Sequence, residues 1–259
     1  MASTPDMTTI PRSLQAWRWI AAVLALTQLV APAVSRAIAG DFLRSGATNE
    51  ALITPAGYAF ALWGLITLLS AVTAIAVLRF GLGSWWETGL LVDASVVFLG
   101  FSVWLLAAAQ NWLWFTVVVF VVMSGALTHI VRLLVRRRHD LTCPTWLATL
   151  ATITFGLYLG WSSIAVFANV AAALIDSGVS PSAVGWQLAV LVAASAFAIV
   201  VTTMLRGTVG YVAGVLWALV AIAIGSAQRD SMVLSTAAAV AAVAVLAAAA
   251  LAMRRRLRH

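Results

Sequence analysis

Long apolar runs separated by short polar clusters dominate the pattern of this chain. Each run is about 20 residues long, the length that an α-helix needs to cross the hydrocarbon core of a bilayer. The runs predict transmembrane helices at residues 19–40, 56–79, 88–110, 113–135, 145–172, 184–205, 209–227 and 233–253. The sequence therefore predicts an all-α fold, a polytopic bundle of about eight transmembrane helices.

Composition supports a membrane protein and argues against a soluble enzyme domain. Hydrophobic residues make up 63% of the 259 positions and charged residues only 9%, whereas soluble domains carry roughly 25% charged residues. The lipid bilayer is therefore the predicted partner. The net charge of +7 does not indicate nucleic-acid binding, because the arginines lie at the ends of the predicted helices.

The distribution of the arginines predicts the orientation in the membrane. Cytoplasmic loops of membrane proteins are enriched in Lys and Arg. A cytoplasmic N-terminus places three arginines outside, namely Arg36, Arg44 and Arg229. It places the other twelve inside: Arg12, Arg18, Arg79, Arg132, Arg136, Arg137, Arg138, Arg206, Arg254, Arg255, Arg256 and Arg258. We therefore expect a multi-pass protein of the cell membrane, with a cytoplasmic segment at residues 1–16 and a basic cytoplasmic tail at 254–259.

Several reaction classes are excluded by missing residue types. The chain has no lysine, which excludes Schiff-base chemistry and the P-loop lysine. Its single cysteine, Cys143, excludes an internal disulfide and a thiolate metal cluster. The first apolar run ends in Ala37-Ile38-Ala39, which resembles a signal-peptide cleavage site, but its length and the absence of a following soluble domain favour a retained helix.

Aromatic residues converge at one depth in the outer half of the predicted bundle. Eight of the twelve tryptophans fall at predicted helix ends, where indoles favour the headgroup level. Of those inside helices, Trp63, Trp104 and Trp161 belong to the second, third and fifth helices. With about 1.5 Å rise per residue, they and Phe60 lie roughly 5–16 Å below the outer surface.

The fifth predicted helix carries a polar and aromatic stripe. Tyr158, Trp161, Ser162, Ala165 and Asn169 fall within an arc of about 100°. Because such a stripe is costly against lipid, it should face the bundle. Two interpretations remain: the stripe packs helices together through its amide and phenol, or it forms one wall of a ligand pocket.

Two segments resemble the translocator protein family, also called tryptophan-rich sensory proteins. Residues 54–63 read Thr-Pro-Ala-Gly-Tyr-Ala-Phe-Ala-Leu-Trp, similar to the family's Pro-Gly-x-x-Phe…Trp entry to its second helix. The fifth helix carries Tyr158-x-x-Trp161-x-x-x-Ala165-x-x-x-Asn169, which matches the family spacing. The second helix departs from the pattern, since Phe60 and Trp63 are three residues apart instead of four, and Thr67 replaces a tyrosine.

This resemblance implies a five-helix core at residues 17–175, with three additional helices at 176–253. The family binds tetrapyrroles such as protoporphyrin, which implies a binding or sensory protein for a hydrophobic aromatic small molecule, with a bound porphyrin but no required cofactor. The implied pocket lies under the first loop, where Arg44 could meet a carboxylate. Its implied ligand-binding residues are Phe60, Trp63, Trp104, Tyr158, Trp161, Ala165 and Asn169.

Two ionisable residues inside predicted helices keep other functions open. Asp93 and His129 both lie within roughly 7–10 Å of the inner surface. They could form an ion pair that pins the third helix to the fourth, or serve a secondary transporter as a coupling site. One His and one Asp do not make a metal site. A porphyrin-degrading enzyme is a further alternative, but no nucleophile–base pair supports it and we predict no enzyme.

Two Gly-x-x-x-Gly motifs predict close helix packing. They are Gly156-x-x-x-Gly160 in the fifth helix and Gly210-x-x-x-Gly214 in the seventh. Such motifs let helix backbones approach closely within a chain or between two copies, so a homodimer is compatible with them.

Overall fold

A computed structural model describes residues 11–39 and 50–257 of the chain. Within these residues there are eight α-helices and two short 3₁₀ turns, at Gly57–Ala61 and Arg138–Asp140, and no strand. Each helix is long and apolar enough to cross a membrane, so the predicted all-α, eight-span architecture is confirmed. The helices are α1 Arg12–Ala39, α2 Leu62–Phe80, α3 Glu87–Ala109, α4 Leu113–Arg136, α5 Thr145–Asp176, α6 Val184–Met204, α7 Val209–Gln228 and α8 Met232–Leu257.

The helix ends differ from the predicted ones for local reasons. Helix α1 begins directly after Pro11, whose carbonyl accepts the first helical hydrogen bond. The predicted second helix opens instead with the 3₁₀ turn, where the Ala59 N–H donates to the Ala56 carbonyl. Helix α5 continues to Asp176 and ends where Gly178 adopts a φ of 95°, a backbone conformation that suits glycine.

Some predicted segments fall partly outside the described residues. The N-terminal segment 1–16 is described from residue 11 onward, and the basic tail 254–259 only to residue 257. Arg44 lies outside the described residues, as does most of the first loop. The cytoplasmic location of both termini stays a prediction.

A buried ion pair joins α1 to the start of α3. The Arg18 Nε donates to Glu87 Oε1 at 2.7 Å, and both side chains are buried. The other carboxylate oxygen of Glu87 accepts the backbone N–H groups of Leu82 and Gly83 at 3.0 and 2.9 Å. Glu87 therefore fixes both the α2–α3 connection and the position of α1.

We expect Glu87→Gln to destabilise the protein strongly. The substitution leaves the Arg18 guanidinium buried without its counter-charge, and breaking such a pair costs about 3–5 kcal/mol. Thermal unfolding in detergent measures this. Asp230→Asn is the matched control, because Asp230 is exposed at a left-handed position that asparagine also tolerates. Equal melting temperatures for the two variants would contradict the structural role of the pair.

The two Gly-x-x-x-Gly motifs pack against each other inside the chain. A Cβ atom added to Gly156 would lie 3.3 Å from Gly210 Cα, and one added to Gly160 would lie 3.0 Å from Gly214 Cα. The backbones of α5 and α7 are thus in direct contact. The motifs are used within one chain, so they give the possible homodimer no support.

Candidate functional site

A cavity of about 640 Å³ opens at one end of the bundle. Small-molecule pockets typically measure about 300–1,000 Å³. Its walls come from the 3₁₀ turn and α2, from α3, α4, α5 and α7, and from residues 50–55. The lining residues are Glu50, Ala51, Thr54, Pro55, Phe60, Trp63, Trp104, Ala108, Asn111, Leu113, Phe120, Trp161, Ile164, Ala165, Ala168, Asn169, Ala172, Ile175, Asp176 and Ala218.

Six of the seven residues that the resemblance implied for ligand binding lie on this cavity. The predicted convergence of the second, third and fifth helices at one level is therefore present in the structure, although binding itself stays a prediction. The six residues are Phe60, Trp63, Trp104, Trp161, Ala165 and Asn169.

Tyr158 lies beneath the cavity and does not line it. Its side chain is fully buried, and its hydroxyl donates to Gln28 Oε1 of α1 at 3.0 Å. Its ring meets the Trp63 ring edge-on, with 5.5 Å between the centroids. Tyr158 sits almost one helical turn before Trp161, deeper in the bundle, so it supports the cavity floor and ties α1 to α5.

Trp63 is the centre of an aromatic cluster that forms the inner wall. Its ring centroid lies 5.4 Å from that of Trp104, 6.1 Å from Trp161 and 4.8 Å from Phe101. All four side chains are buried. Tilted and edge-on pairs at these distances are favourable, so α2, α3 and α5 present a fixed aromatic surface.

Asn169 joins three helices through its amide. Its Oδ1 accepts hydrogen bonds from Trp104 Nε1 at 3.3 Å and from Thr116 Oγ1 at 2.8 Å. Its Nδ2 donates to the Ala165 carbonyl one turn earlier in α5. The packing interpretation of the stripe therefore holds for Asn169, which also borders the cavity.

Trp161 differs from Trp104 in one respect. Its side chain is only 3% exposed, yet its indole Nε1 has no hydrogen-bond partner among the described residues. An unsatisfied buried donor costs about 1–3 kcal/mol. The Nε1 atom itself has almost no accessible surface, so Trp161 offers the cavity its ring and not its N–H group.

Residues 50–56, here called the cap segment, cover one side of the cavity and are held by α7. The Ala56 N–H donates to the Ala221 carbonyl at 2.9 Å. The Arg229 guanidinium donates to the Thr54 carbonyl at 2.8 Å and pairs with Glu50 at the same distance. A helix beyond the expected five-helix core thus positions part of the cavity.

Helix α6 and a second α7 residue add to this attachment. Gln187 Oε1 accepts the Ile53 N–H at 3.2 Å, and Ser226 Oγ donates to the Leu52 carbonyl at 2.9 Å. Gly225 makes the close approach possible, because a Cβ there would lie 2.5 Å from the Thr54 carbonyl oxygen.

The mouth of the cavity carries acidic groups. Among the described lining residues, Glu50 and Asp176 are ionisable and none is basic. Arg229 pairs with Glu50, while Asp176 accepts a hydrogen bond from Asn111 Nδ2 at 3.2 Å. The described mouth therefore carries a net negative charge from Asp176.

Asp93 and His129 lie together but away from the cavity. His129 Nδ1 and Asp93 Oδ2 are 2.6 Å apart, and the His129 side chain is 59% exposed on the outside of the bundle. The pair joins α3 to α4. Neither residue lines the cavity, so the cavity does not support a transporter that uses this pair as its coupling site. No metal-ligating group of three or more His, Cys, Asp or Glu side chains occurs within the described ranges.

The contributions of helices α4 and α7 to the cavity were not predicted from the sequence. Phe120 of α4 and Ala218 of α7 line it, but both are ordinary apolar residues of apolar helices. The motif at Gly210 and Gly214 predicted close packing of α7 without identifying α5 as its partner.

A family model described as TSPO-like protein matches residues 16–251 of the chain. The match extends through α6 and α7 and into α8, in addition to the five helices that carry the resemblance. No curated protein and no solved structure matches the chain.

Proposed function

The chain belongs to the TSPO-like protein family, and from this premise we propose that it binds a hydrophobic aromatic small molecule in the cavity under the cap segment. The observation that carries the proposal is a cavity walled by three indole rings. Flat aromatic ligands gain contact energy on such a wall. A membrane binding or sensory role agrees with family membership.

A tetrapyrrole such as protoporphyrin is the ligand that we propose, on the basis of the resemblance. Its apolar macrocycle would lie against the faces or edges of the Trp63, Trp104 and Trp161 rings, and a polar edge would point to the mouth. Arg44, which could meet a carboxylate, lies outside the described residues, so the charge of the described mouth alone decides which form of the ligand we expect to bind more tightly. We also propose that the protein resides in the cell membrane with both termini cytoplasmic.

Titration with protoporphyrin IX and with its dimethyl ester tests this function. We expect saturable quenching of tryptophan fluorescence by both compounds. The neutral ester should bind several-fold more tightly, because the free carboxylates would approach the negative charge of Asp176 at the mouth, and two like charges about 4 Å apart repel by roughly 1 kcal/mol even in water. The absence of saturable quenching with either compound would contradict tetrapyrrole binding. Tighter binding of the free acid would contradict the described charge at the mouth and implicate Arg44.

A further inference from the structure

A second groove lies between α6 and α8, at the opposite end of the bundle from the cap segment. Its volume is about 770 Å³, and its residues come only from these two helices and the turn that follows α6. Apolar side chains line most of the groove, and two arginines lie at one end of it. The lining residues are Ile199, Thr203, Arg206, Ala248, Leu251, Ala252 and Arg255.

Arg206 is held in this position by a specific helix end. The Gly207 N–H donates to the Thr202 carbonyl at 2.9 Å, and the Arg206 N–H donates to the Thr203 carbonyl at 3.1 Å. These two hydrogen bonds form a Schellman motif. Arg206 therefore occupies the left-handed position of the motif, with a φ of 56°.

Arginine is an unfavourable choice for this backbone conformation. Three other helix ends of the bundle form the same motif, and their left-handed residues are Asn111, Gly178 and Asp230. Glycine and short Asn or Asp side chains adopt that conformation most readily. Arg206 occupies a conformation that the turn would fill better with Gly, Asn or Asp. We therefore attribute its presence there to a function of its side chain.

The turn also presses against α8, the helix that carries the second arginine. A Cβ added to Gly207 would lie 2.9 Å from the Ala249 carbonyl oxygen. Arg255 lies in the last two turns of α8, on the same groove. Both guanidinium groups are exposed, and neither makes an ion pair within the described part of the chain.

We propose that this groove binds an anionic phospholipid. The phosphate group would lie between Arg206 and Arg255, and an acyl chain would run along Ile199, Ala248 and Leu251. Basic pockets between transmembrane helices are suited to acidic head groups. A free phosphate ion would use only the arginines, whereas a lipid also covers the apolar length of the groove. This proposal does not depend on the proposed function of the aromatic cavity.

Arg206→Gly separates lipid binding from folding. Glycine suits the left-handed position, so the variant should melt at or above the temperature of the parent protein. Native mass spectrometry of protein supplied with phosphatidylglycerol measures retained lipid. We expect retention about fivefold weaker for Arg206→Gly and about thirtyfold weaker for the double variant with Arg255→Gln, at roughly 1 kcal/mol per arginine. Phosphatidylcholine should be retained equally by all variants.

The matched control removes two arginines that do not line the groove. Arg79→Gln and Arg254→Gln together reduce the charge of the same membrane face by the same amount, and neither residue lines the groove. We expect this control to retain phosphatidylglycerol within about twofold of the parent protein at 0.15 M salt, because exposed charges are screened over about 8 Å.

Three results would overturn the proposal. The first is retention of phosphatidylglycerol by the double variant as by the parent protein. The second is an equal loss in the control, which would mean a diffuse surface charge. The third is equal competition by inorganic phosphate and by phosphatidylglycerol, which would mean an anion site without a lipid groove.

Discussion

Replacing Trp161 with alanine is expected to weaken binding of protoporphyrin IX dimethyl ester about a hundredfold. The substitution removes a contact surface worth about 2–3 kcal/mol from the cavity wall. Trp161→Phe should keep most of the aromatic surface and weaken binding by no more than about fivefold, because the smaller ring loses only part of the contact area. Absorbance of the bound porphyrin measures both, since it does not depend on the remaining tryptophans.

Trp19→Ala is the control for this pair. Trp19 is 56% exposed on α1 and does not border the cavity. Its removal should leave the affinity within about twofold of the parent value, because an exposed indole away from the ligand contributes nothing to the contact. Equal affinities for the Trp161→Ala and Trp19→Ala variants would show that the ligand binds elsewhere.

Gly214→Ala is expected to cost about 3 kcal/mol of stability or more. A Cβ at this position would lie 2.6 Å from the Leu157 carbonyl oxygen and 2.8 Å from the Trp161 backbone nitrogen. Both atoms belong to the α5 backbone, so two helices must move apart, and such overpacking typically costs about 1–3 kcal/mol and sometimes more. The movement would also displace Trp161 and Ala218, so ligand affinity should fall with stability.

Gly185→Ala in α6 is the matched control for Gly214→Ala, and thermal unfolding in detergent compares the two variants. No atom lies within 4 Å of the added Cβ there, and alanine favours a helix by about 1 kcal/mol over glycine. We expect this control to melt at or above the parent temperature. If Gly214→Ala and Gly185→Ala have the same melting temperature, α5 and α7 are not in backbone contact.

The number of helices, and the level at which their aromatic residues meet, could be predicted from the sequence. Both follow from distances along the chain. The lengths of the apolar runs give the number of membrane-spanning helices, and the rise per residue gives the depth of Trp63, Trp104 and Trp161. The stripe on α5 also indicated the buried face correctly, since Asn169 and Trp161 point into the bundle.

The partners of each helix could not be predicted in the same way. Tyr158 shares the face of Trp161, but its hydroxyl donates to Gln28 of α1, away from the cavity. The attachment of the cap segment by Arg229 and Ser226 joins residues more than 170 positions apart. A contact over that separation leaves no pattern of neighbouring residues in the sequence. The role of α7 in holding the cap segment is therefore visible only in the folded protein.

Fluorine-19 NMR of protein labelled with 5-fluorotryptophan tests the central claim most directly. Each resonance can be assigned by a single Trp→Phe substitution, and protoporphyrin IX dimethyl ester is then added. We expect the resonances of Trp63, Trp104 and Trp161 to shift together and saturate with the ligand, while that of Trp19 stays in place. Shifts confined to exposed tryptophans, with the three cavity resonances unchanged, would contradict a ligand site under the cap segment.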